Sequence, residues 1–207
     1  MTKERQSAPV NPGTLRPHGP VSPVEPVSSL DMLEIVVGLG ANLGDPAAAF
    51  AVAVAELACQ GQVRAASRLW RTRPLGPGQP DYENAAIRIG WPGSPWQLLE
   101  VCRELEGAAG RDRQNEIRWG PRPLDLDLLI ALDLVTRGPR LELPHPRLAE
   151  RAFALVPAAE VAPDWRHPLL GRTLADLAAE AVGINPDALI SNRPFEIANH
   201  PLRDHSQ

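Results

Sequence analysis

The stretch of sequence that decides the fold is R-W-G-P-R-P-L-D-L-D-L-L, which runs from Arg118 to Leu129. From Leu124 onward leucine and aspartate alternate, and successive side chains of a β-strand point to opposite faces. The pattern predicts a strand that buries its leucines and holds Asp125 and Asp127 together on the other face. Because like charges on one face repel, we expect this face to meet bound cations, and Mg²⁺ prefers carboxylate and phosphate oxygens.

Arginines lie just before these acids. Arg118 and Arg122 are within the stretch, and Arg111 and Arg113 belong to G-R-D-R upstream. Guanidinium groups bind phosphate oxygens through paired hydrogen bonds. Acids that hold a metal beside arginines that hold an anion indicate a site for a metal-bound polyphosphate such as MgATP. The alternative is that the D-x-D pair is the solvated face of an edge strand and that the arginines only neutralise it.

The composition is that of one globular domain with tails. The chain has 207 residues and a net charge of −4, which does not predict a surface for nucleic acids. Cys59 and Cys102 are the only cysteines and lack metal-ligand spacing, so we expect buried free thiols in a reducing cytosol. No apolar run is as long as the roughly 18 residues that a membrane helix needs, and no signal-peptide core is present. The sequence therefore predicts a soluble, cytoplasmic protein that binds neither membrane nor nucleic acid.

Three regions are predicted along the chain. Residues 1–30 are rich in proline and poor in large apolar side chains, so we expect a disordered N-terminal tail. Met32 directly precedes the first strand-like run, which raises the hypothesis that translation starts there and not at Met1. Residues 31–183 carry the periodic apolar patterns of a folded domain, and residues 184–207 are polar and mixed, as expected of a loosely docked C-terminal tail.

Apolar periodicity predicts the order of the elements inside the domain. A β-rich run, a capped helix, two strands, a second capped helix and the D-x-D strand follow one another. This β-α-β-β-α-β order is that of the ferredoxin-like α+β sandwich, and a C-terminal helical appendage follows it. The predicted bounds are Leu33–Leu39 for the first strand, Val63–Thr72 for the second, and Thr173 to Gly183 for the last helix. The glycine-rich segment from Gly38 to Pro46 fits neither a dinucleotide fingerprint nor a P-loop, so it predicts a tight turn.

Several motifs, in order, resemble the 6-hydroxymethyl-7,8-dihydropterin pyrophosphokinase family of folate biosynthesis. They are G-L-G-A-N-L-G-D, R-T-x-P-L-G-P, Q-P-D-Y-x-N-A, R-W-G-P-R-P-L-D-L-D-L-L and P-H-P-R-L-x-x-R-A-F, and the resemblance runs from about Leu33 to Trp165. It implies that the chain transfers pyrophosphate from ATP to the hydroxymethyl group of the pterin, giving AMP and the pterin diphosphate. It also implies ATP as co-substrate and two Mg²⁺ ions, and we expect a monomer.

The resemblance implies a role for each residue of the site. Asp125 and Asp127 are implied to hold the two Mg²⁺ ions, and the pterin is implied to stack between Tyr82 and Phe153 while Trp119 closes over it. The implied catalytic residues are Arg111, Arg122, Asp125 and Asp127. The residues implied to bind ATP are Glu106, Arg111, Arg113, Arg118, Arg122, His145 and Arg151. Those implied to bind the pterin are Thr72, Leu75, Tyr82, Asn84, Trp119 and Phe153.

Some points stay open at the level of the sequence. Spacing alone allows Tyr82 to be a packing residue and His145 to be an ordinary surface residue on an exposed turn. Arg73 replaces a common proline of the family beside the pterin loop, which leaves the contacts of the pterin edge open. No general base is singled out, since either Asp127 or a hydroxyl group whose pKa a metal lowers could serve.

Two other classes of protein share some of these features. A metal-dependent nuclease or other phosphodiesterase could use the same two acids, although a single D-x-D with no further metal ligands argues against it. A non-catalytic ferredoxin-like binding module, such as an RNA-binding sheet, would carry aromatic side chains clustered on the sheet face. Here Tyr82, Trp119 and Phe153 lie in or beside predicted loops, so the sequence favours the pyrophosphokinase.

Overall fold

The computed structural model describes residues 32–74, 78–113, 120–185 and 188–196. The strands are β1 (Leu33–Ala41), β2 (Gln62–Ala66), β3 (Leu69–Thr72), β4 (Tyr82–Trp91), β5 (Asp125–Ala131), β6 (Thr136–Arg137), β7 (Glu142–Leu143) and β8 (Leu189–Arg193). The helices are α1 (Pro46–Gln60), α2 (Pro95–Ala108), α3 (Ala152–Val161) and α4 (Leu174–Ile184). No helix in these ranges is both long and apolar enough to cross a bilayer.

One antiparallel sheet organises the domain. Its strand order is β5-β1-β4-β3-β8, and β2 also pairs with β4, beside β3. Strands β6 and β7 form a separate two-stranded sheet. The central position of β1, between β4 and β5, is that of the ferredoxin-like α+β sandwich. The predicted fold class is confirmed.

Helices cover both faces of the sheet because its strands are apolar on both sides. Val37 belongs to a buried cluster that includes Phe50 and Leu57 of α1 and the apolar face of α2. The adjacent Val36 points the other way, into a cluster with Leu155 and its neighbours on α3 and α4. Burial of one such side chain contributes about 1.5 to 3 kcal/mol, so the central strands are held from both sides.

The helix starts follow the predicted capping chemistry. The Asp45 carboxylate accepts a hydrogen bond from the backbone N–H of Ala48, and Pro46 occupies the first turn of α1. Ser94 and Gln97 form a reciprocal capping box at the start of α2. Since α2 runs back along the sheet next to β5, its C-terminal turn lies near the two aspartates.

The predicted second strand is divided in two. Ser67 and Arg68 separate β2 from β3, where the sequence predicts one strand over Val63–Thr72. The Ser67 hydroxyl accepts a hydrogen bond from the backbone N–H of Ala86 and donates one to the backbone oxygen of Arg68. A side chain thus replaces one backbone group of the strand ladder, and a local bond of this kind leaves no periodic signal in the sequence.

The C-terminal segment is partly ordered against the sheet. Residues 184–207 are expected to form a loosely docked tail, but Leu189–Arg193 is strand β8 and pairs with β3. Arg193 makes an ion pair with Glu83 on β4, and the Phe195 ring meets the Phe50 ring edge-on at 6.2 Å between centroids. The difference has a physical reason: β8 is an exposed edge strand held mainly by backbone pairing, so its sequence carries no apolar alternation.

Candidate active site

The two acids of β5 lie on the face opposite its leucines, as predicted. Leu124, Leu126 and Leu128 are buried in the cluster that includes α1 and α2, while Asp125 and Asp127 are only partly buried. In the strand register Asp125 lies opposite Gly40 of β1, and Gly40 in turn lies opposite Asn84 of β4. A Cβ atom on Gly40 would be 3.3 Å from the Asn84 side-chain oxygen, so glycine leaves the floor between these side chains open.

Asp125 is held by two of the predicted arginines. Arg111 and Arg122 each donate a hydrogen bond from Nη1, one to each oxygen of the Asp125 carboxylate. Burial alone would raise the pKa of Asp125, but the two positive charges and their hydrogen bonds outweigh it and lower that pKa. Asp125 is therefore a stable carboxylate in a fixed orientation.

Asp127, two residues further on, has the opposite electrostatic environment. Burial raises its pKa to about 6, and the negative charge of Asp125 adds to this effect, although Arg151 partly opposes it. Within the described ranges no hydrogen bond to the Asp127 carboxylate is found. A carboxylate that is destabilised in this way gains most from a bound cation.

Glu106 makes ion pairs with Arg111 and Arg113. Its carboxylate is 1% exposed, accepts a hydrogen bond from Arg111 at 2.6 Å, and is also paired with Arg113. It further accepts a hydrogen bond from the backbone N–H of Leu126 at 2.9 Å. Glu106 thus joins the end of α2 to β5 and lines neither of the cavities described below, so the structure places it beneath Arg111 and Arg113.

A first cavity of about 300 Å³ lies over the acids. We call it the aromatic cavity, because Tyr82 and Phe153 both line it. The other lining residues are Thr72, Arg73, Pro74, Gln79, Asn84, Arg122, Asp125, Asp127, Arg147 and Arg151. Thr72 and Asn84 are buried and joined by a 2.7 Å hydrogen bond, so they form a rigid polar wall. Seven predicted pterin or catalytic residues are brought together here, namely Thr72, Tyr82, Asn84, Phe153, Arg122, Asp125 and Asp127.

A second cavity of about 330 Å³ lies beside β7, and we call it the β7 cavity. Its polar lining includes Arg103, Arg113, Asp127, Arg140, Glu142 and His145, and its apolar lining includes Leu99, Leu126, Leu128, Leu141 and Pro146. Among the described residues, Asp127 lines both cavities. Two ligands that occupy the two cavities would therefore meet at this carboxylate.

His145 and Arg151 lie on the segment that leads into α3. The sequence predicts an exposed turn at His145, but the ring is partly buried and its Nδ1 accepts a hydrogen bond from the backbone N–H of Arg147. Burial lowers the pKa of His145, and the charges of Arg151 and Arg147 lower it further, so the ring is neutral at neutral pH. The Arg151 guanidinium lies 5.6 Å from the centroid of the Phe153 ring, a cation–π contact at the edge of the aromatic cavity.

Asn42 is a site residue that the sequence analysis missed. It is 6% exposed, and its amide nitrogen donates to the Gln79 side chain and to the backbone oxygen of Pro80. Its amide oxygen accepts from the backbone N–H of Arg122. Asn42 therefore ties the loop after β1 to two segments that border the aromatic cavity. The G-A-N-L-G sequence gives no such signal, because it predicts only a turn.

Other predicted and unpredicted residues complete the site. The Tyr82 hydroxyl donates to the backbone oxygen of Gly120, which links the aromatic cavity to the segment just before β5. Leu75, Arg118 and Trp119 lie outside the described residues, so their predicted roles are not tested. The polar lining residues that the sequence analysis did not name as site residues are Arg73, Gln79, Arg103, Arg140, Glu142 and Arg147.

Comparison with known proteins shows that the chain is similar to one family of enzymes. The family model described as "7,8-dihydro-6-hydroxymethylpterin-pyrophosphokinase" matches residues 36–163, which is 128 of the 207 residues. A 2-amino-4-hydroxy-6-hydroxymethyldihydropteridine pyrophosphokinase of Synechocystis is 41% identical over 158 residues, covering 73% of this chain and 80% of that protein. The protein of the same name from Methylorubrum extorquens is 45% identical over 136 residues, covering 64% of this chain and 85% of that protein.

Solved structures show the same fold. The wild-type Plasmodium falciparum HPPK-DHPS crystal structure with pteroate superposes with a TM-score of 0.61 at 12% identity, covering 79% of this chain and 48% of that chain. The structure of the wild-type protein with STZ-DHP gives a TM-score of 0.52 at 13% identity, covering 73% of this chain and 42% of the other. The present chain thus spans about half the length of these larger chains or less, and the likeness supports the fold alone.

Proposed function

Because the chain belongs to the 7,8-dihydro-6-hydroxymethylpterin-pyrophosphokinase family, it transfers pyrophosphate from ATP to hydroxymethyldihydropterin in folate biosynthesis, and we propose that the transfer takes place where its two cavities meet. The observation that carries the proposal is the position of Asp127, which lines both the aromatic cavity and the β7 cavity. Two substrates that exchange a group must bring their reacting atoms together at one point. Asp127 marks that point.

The aromatic cavity is the proposed pterin site. A flat heteroaromatic ring between Tyr82 and Phe153 would gain about 0.5 to 1.5 kcal/mol from offset stacking on each ring, beyond the burial of its area. The buried pair Thr72 and Asn84 offers hydrogen-bonding groups for the polar edge of such a ring. This assignment favours the ligand role of Tyr82 over a packing role, because the residue lines the cavity and is only partly buried.

The β7 cavity is the proposed nucleotide site. Arg103, Arg113 and Arg140 supply positive charge for a polyphosphate, and the leucines between them supply an apolar wall for a base. His145 faces the same cavity as a neutral ring and can donate a hydrogen bond without adding charge. The predicted ATP contacts of Arg113 and His145 are supported by this arrangement.

In the proposed reaction the hydroxymethyl oxygen of the pterin attacks the β-phosphorus of ATP. A new O–P bond forms, the bond between the β-phosphorus and the oxygen bridging to the α-phosphorus breaks, and AMP leaves with that oxygen. The proton of the pterin hydroxyl is released to the solvent, which balances the charge of the two products. Negative charge increases on the oxygens of the transferred group and on the oxygen that leaves with AMP. Arg122 and Arg151, which line the aromatic cavity beside the acids, would offset this charge. Arg111 is 7% exposed and paired with Glu106 and Asp125, so we propose that it positions Asp125.

Mg²⁺ dependence is a general property of this family, and the acids of β5 fit such an ion. Bound Mg²⁺ neutralises charge on the triphosphate and orients it. Asp125 and Asp127 offer hard oxygen ligands, and no group of three or more metal-ligating side chains is found in the described part of the chain. Mg²⁺ keeps water and phosphate ligands and needs only one or two carboxylates, so the pair is sufficient. That two ions bind is our proposal.

The oligomeric state, the location in the cell and the absence of nucleic-acid binding are also proposals. A monomeric state, a cytoplasmic location and the absence of nucleic-acid binding are expected from the sequence. The two cysteines are free thiols, in agreement with a reducing compartment. Cys102 is buried as expected, but the expected burial of Cys59 is wrong, because Cys59 lies on the exposed face of α1 with Glu56. Sedimentation at several protein concentrations will test the monomer.

The function is tested by the identity of the nucleotide product. Purified protein with ATP, Mg²⁺ and 6-hydroxymethyl-7,8-dihydropterin should release AMP, while 6-methyl-7,8-dihydropterin, which lacks the attacking hydroxyl, should bind without turnover. Release of ADP, or release of AMP without the hydroxymethyl group, would contradict the assignment.

A further inference from the structure

Arg147 lines the aromatic cavity, although a neutral pterin offers a cation little to bind. The residue lies between His145 and a 3-10 turn at Leu148–Glu150, four positions before Arg151. Its backbone N–H donates to His145 at 3.1 Å, which fixes the main chain at this point. The main chain at Arg147 is therefore held in place, and from this point the side chain reaches the lining of the cavity.

Arg147 and Arg151 are like charges on one wall of the cavity. Burial lowers the pKa of Arg151, and the charge of Arg147 is the next cause of that lowering, while Asp127 and Asp125 act in the opposite direction. The Arg151 Nε is buried and has no hydrogen-bond partner in the described part of the chain. Two neighbouring guanidinium groups, together with the unused Nε donor of Arg151, form an attractive site for an anion, because an anion between the two groups offsets their repulsion.

The two cavities divide the arginines into two sets. Arg103, Arg113 and Arg140 line the β7 cavity, whereas Arg122, Arg147 and Arg151 are among the lining of the aromatic cavity. Before transfer the phosphates belong to the nucleotide, and after transfer two of them belong to the pterin. Cations on the pterin side therefore have their strongest partner in the product.

We infer that Arg147 is a specificity-determining residue that binds the diphosphate group of the pterin diphosphate and thereby distinguishes this product from the neutral pterin substrate. The inference rests on the proposed placement of the pterin in the aromatic cavity. Arg147 then contacts the ligand only after the transfer. This contact slows release of the pterin diphosphate and adds little to binding of the pterin substrate. The competing explanation is a surface role, since Arg147 Nε lies 3.5 Å from a Glu150 carboxylate oxygen and both side chains are exposed by more than a third.

The test compares Arg147→Gln with the control Glu150→Gln by titration calorimetry. Arg147→Gln should weaken binding of enzymatically prepared pterin diphosphate by about tenfold, as expected for one lost charge-assisted hydrogen bond. Its affinity for 6-hydroxymethyl-7,8-dihydropterin should change by less than about twofold, because that ligand has no charge for Arg147 to meet. Added salt should weaken product binding less in Arg147→Gln than in the wild type. Circular dichroism will verify that both variants are folded.

Three results would overturn the inference. Product affinity equal to that of the wild type in Arg147→Gln would exclude a contact with the diphosphate. An equal loss in Glu150→Gln would assign the effect to the surface ion pair. If Arg147→Gln weakened binding of the uncharged pterin as much as binding of the product, the effect would come from a changed shape of the cavity. Failure of the wild type to bind pterin diphosphate at all would instead contradict the proposed function, so the two failures are distinguishable.

Discussion

At the scale of single residues, the two aspartates of β5 show how environment separates identical side chains. Both point to the same face two residues apart, yet Asp125 is paired with Arg111 and Arg122 and Asp127 is paired with neither. The first carboxylate has a lowered pKa and the second a raised one. Asp125 therefore stabilises the fold in its charged form, whereas charged Asp127 destabilises the fold until a cation binds.

This contrast predicts opposite effects of two matched variants on metal-free protein. The pKa of Asp127 is raised from 3.8 to about 6, so its charge lowers the stability of the fold as the pH rises through this window, and the penalty persists above it. Asp127→Asn should raise the free energy of unfolding by about 1 to 3 kcal/mol at about pH 8 and change it little at about pH 4. Asp125→Asn should lower it at about pH 8, because its folded-state pKa is depressed and its stabilisation is lost only as the pH falls.

Urea denaturation in the presence of a chelator will measure both variants. A loss of stability at about pH 8 in both would refute the assigned difference between the two carboxylates.

Asn42 carries a second prediction at this scale. Asn42→Ala removes hydrogen bonds to Gln79, to the Pro80 backbone and from the Arg122 backbone, so unfolding should become easier by about 2 to 3 kcal/mol. Gln79→Ala removes only one of these bonds and should cost about 1 kcal/mol or less. Denaturation curves will give both values, and equal losses would show that Asn42 does not join the three segments.

At the scale of elements, the junction between α1 and β2 depends on one close approach. A Cβ on Gly61 would lie 2.9 Å from the backbone oxygen of Gly90 and 2.9 Å from Ile89 Cδ1. The backbone of Gly61 is extended, so conformation does not require glycine here. The limited space requires glycine instead, because a backbone oxygen in the middle of the sheet cannot move away without a large cost in free energy.

Gly61→Ala should therefore lower the free energy of unfolding by about 1 to 3 kcal/mol through overpacking. Gly107→Ala is the matched control, since a Cβ at that helical position meets nothing within 4 Å. It should stabilise the protein by about 0.5 kcal/mol, because alanine loses less backbone entropy than glycine in a helix. Thermal denaturation of the two variants should give shifts of opposite sign, and two shifts of the same sign would contradict the close approach.

Strand β8 supplies another prediction for an element. Phe195→Ala removes the edge-on contact with Phe50 and should free the C-terminal segment, so amide exchange of β8 should become faster. Ile190→Ala, at a side chain that is 43% exposed, is the control and should leave exchange nearly unchanged. Mass-spectrometric hydrogen exchange will follow both. Unchanged exchange in Phe195→Ala would mean that backbone pairing with β3 alone holds the strand.

The elements also show what the sequence can and cannot predict. The alternation from Leu124 to Leu128 predicts the face of each aspartate, because a strand has a strict period of two. The break at Ser67 and the strand at Leu189–Arg193 are not predictable from periodicity, since the first depends on a side-chain bond to Ala86 and the second on backbone pairing. The β7 cavity is missed for a similar reason: its arginines come from α2, from the segment after α2 and from the β6–β7 hairpin, and only the fold brings them together.

At the scale of the whole molecule, the two cavities share one carboxylate, so we expect their ligands to bind cooperatively. If a nucleotide with Mg²⁺ occupies the β7 cavity as proposed, it would neutralise Asp127 at the edge of the aromatic cavity, and by reciprocity the pterin would favour binding of the nucleotide. The coupling should be about fivefold or more in affinity.

Calorimetric titration of the pterin, with and without a non-hydrolysable ATP analogue and Mg²⁺, will measure the cooperativity. Asp127→Asn should abolish it while leaving pterin binding itself nearly intact. Equal pterin affinity with and without the nucleotide in the wild type would show that the two cavities act independently.

The pairing of β8 with β3 also has a consequence for folding during synthesis on the ribosome. The hydrogen bond between Arg68 and Asn192 spans 124 positions, so β3 is synthesised long before its outer neighbour. Contacts between residues so far apart in sequence form late in folding, because the intervening chain must first lose conformational entropy. Strand β3, which carries Thr72, therefore has an unpaired edge until residues 189–193 have been synthesised, and the sheet beside the aromatic cavity is extended to β8 only then.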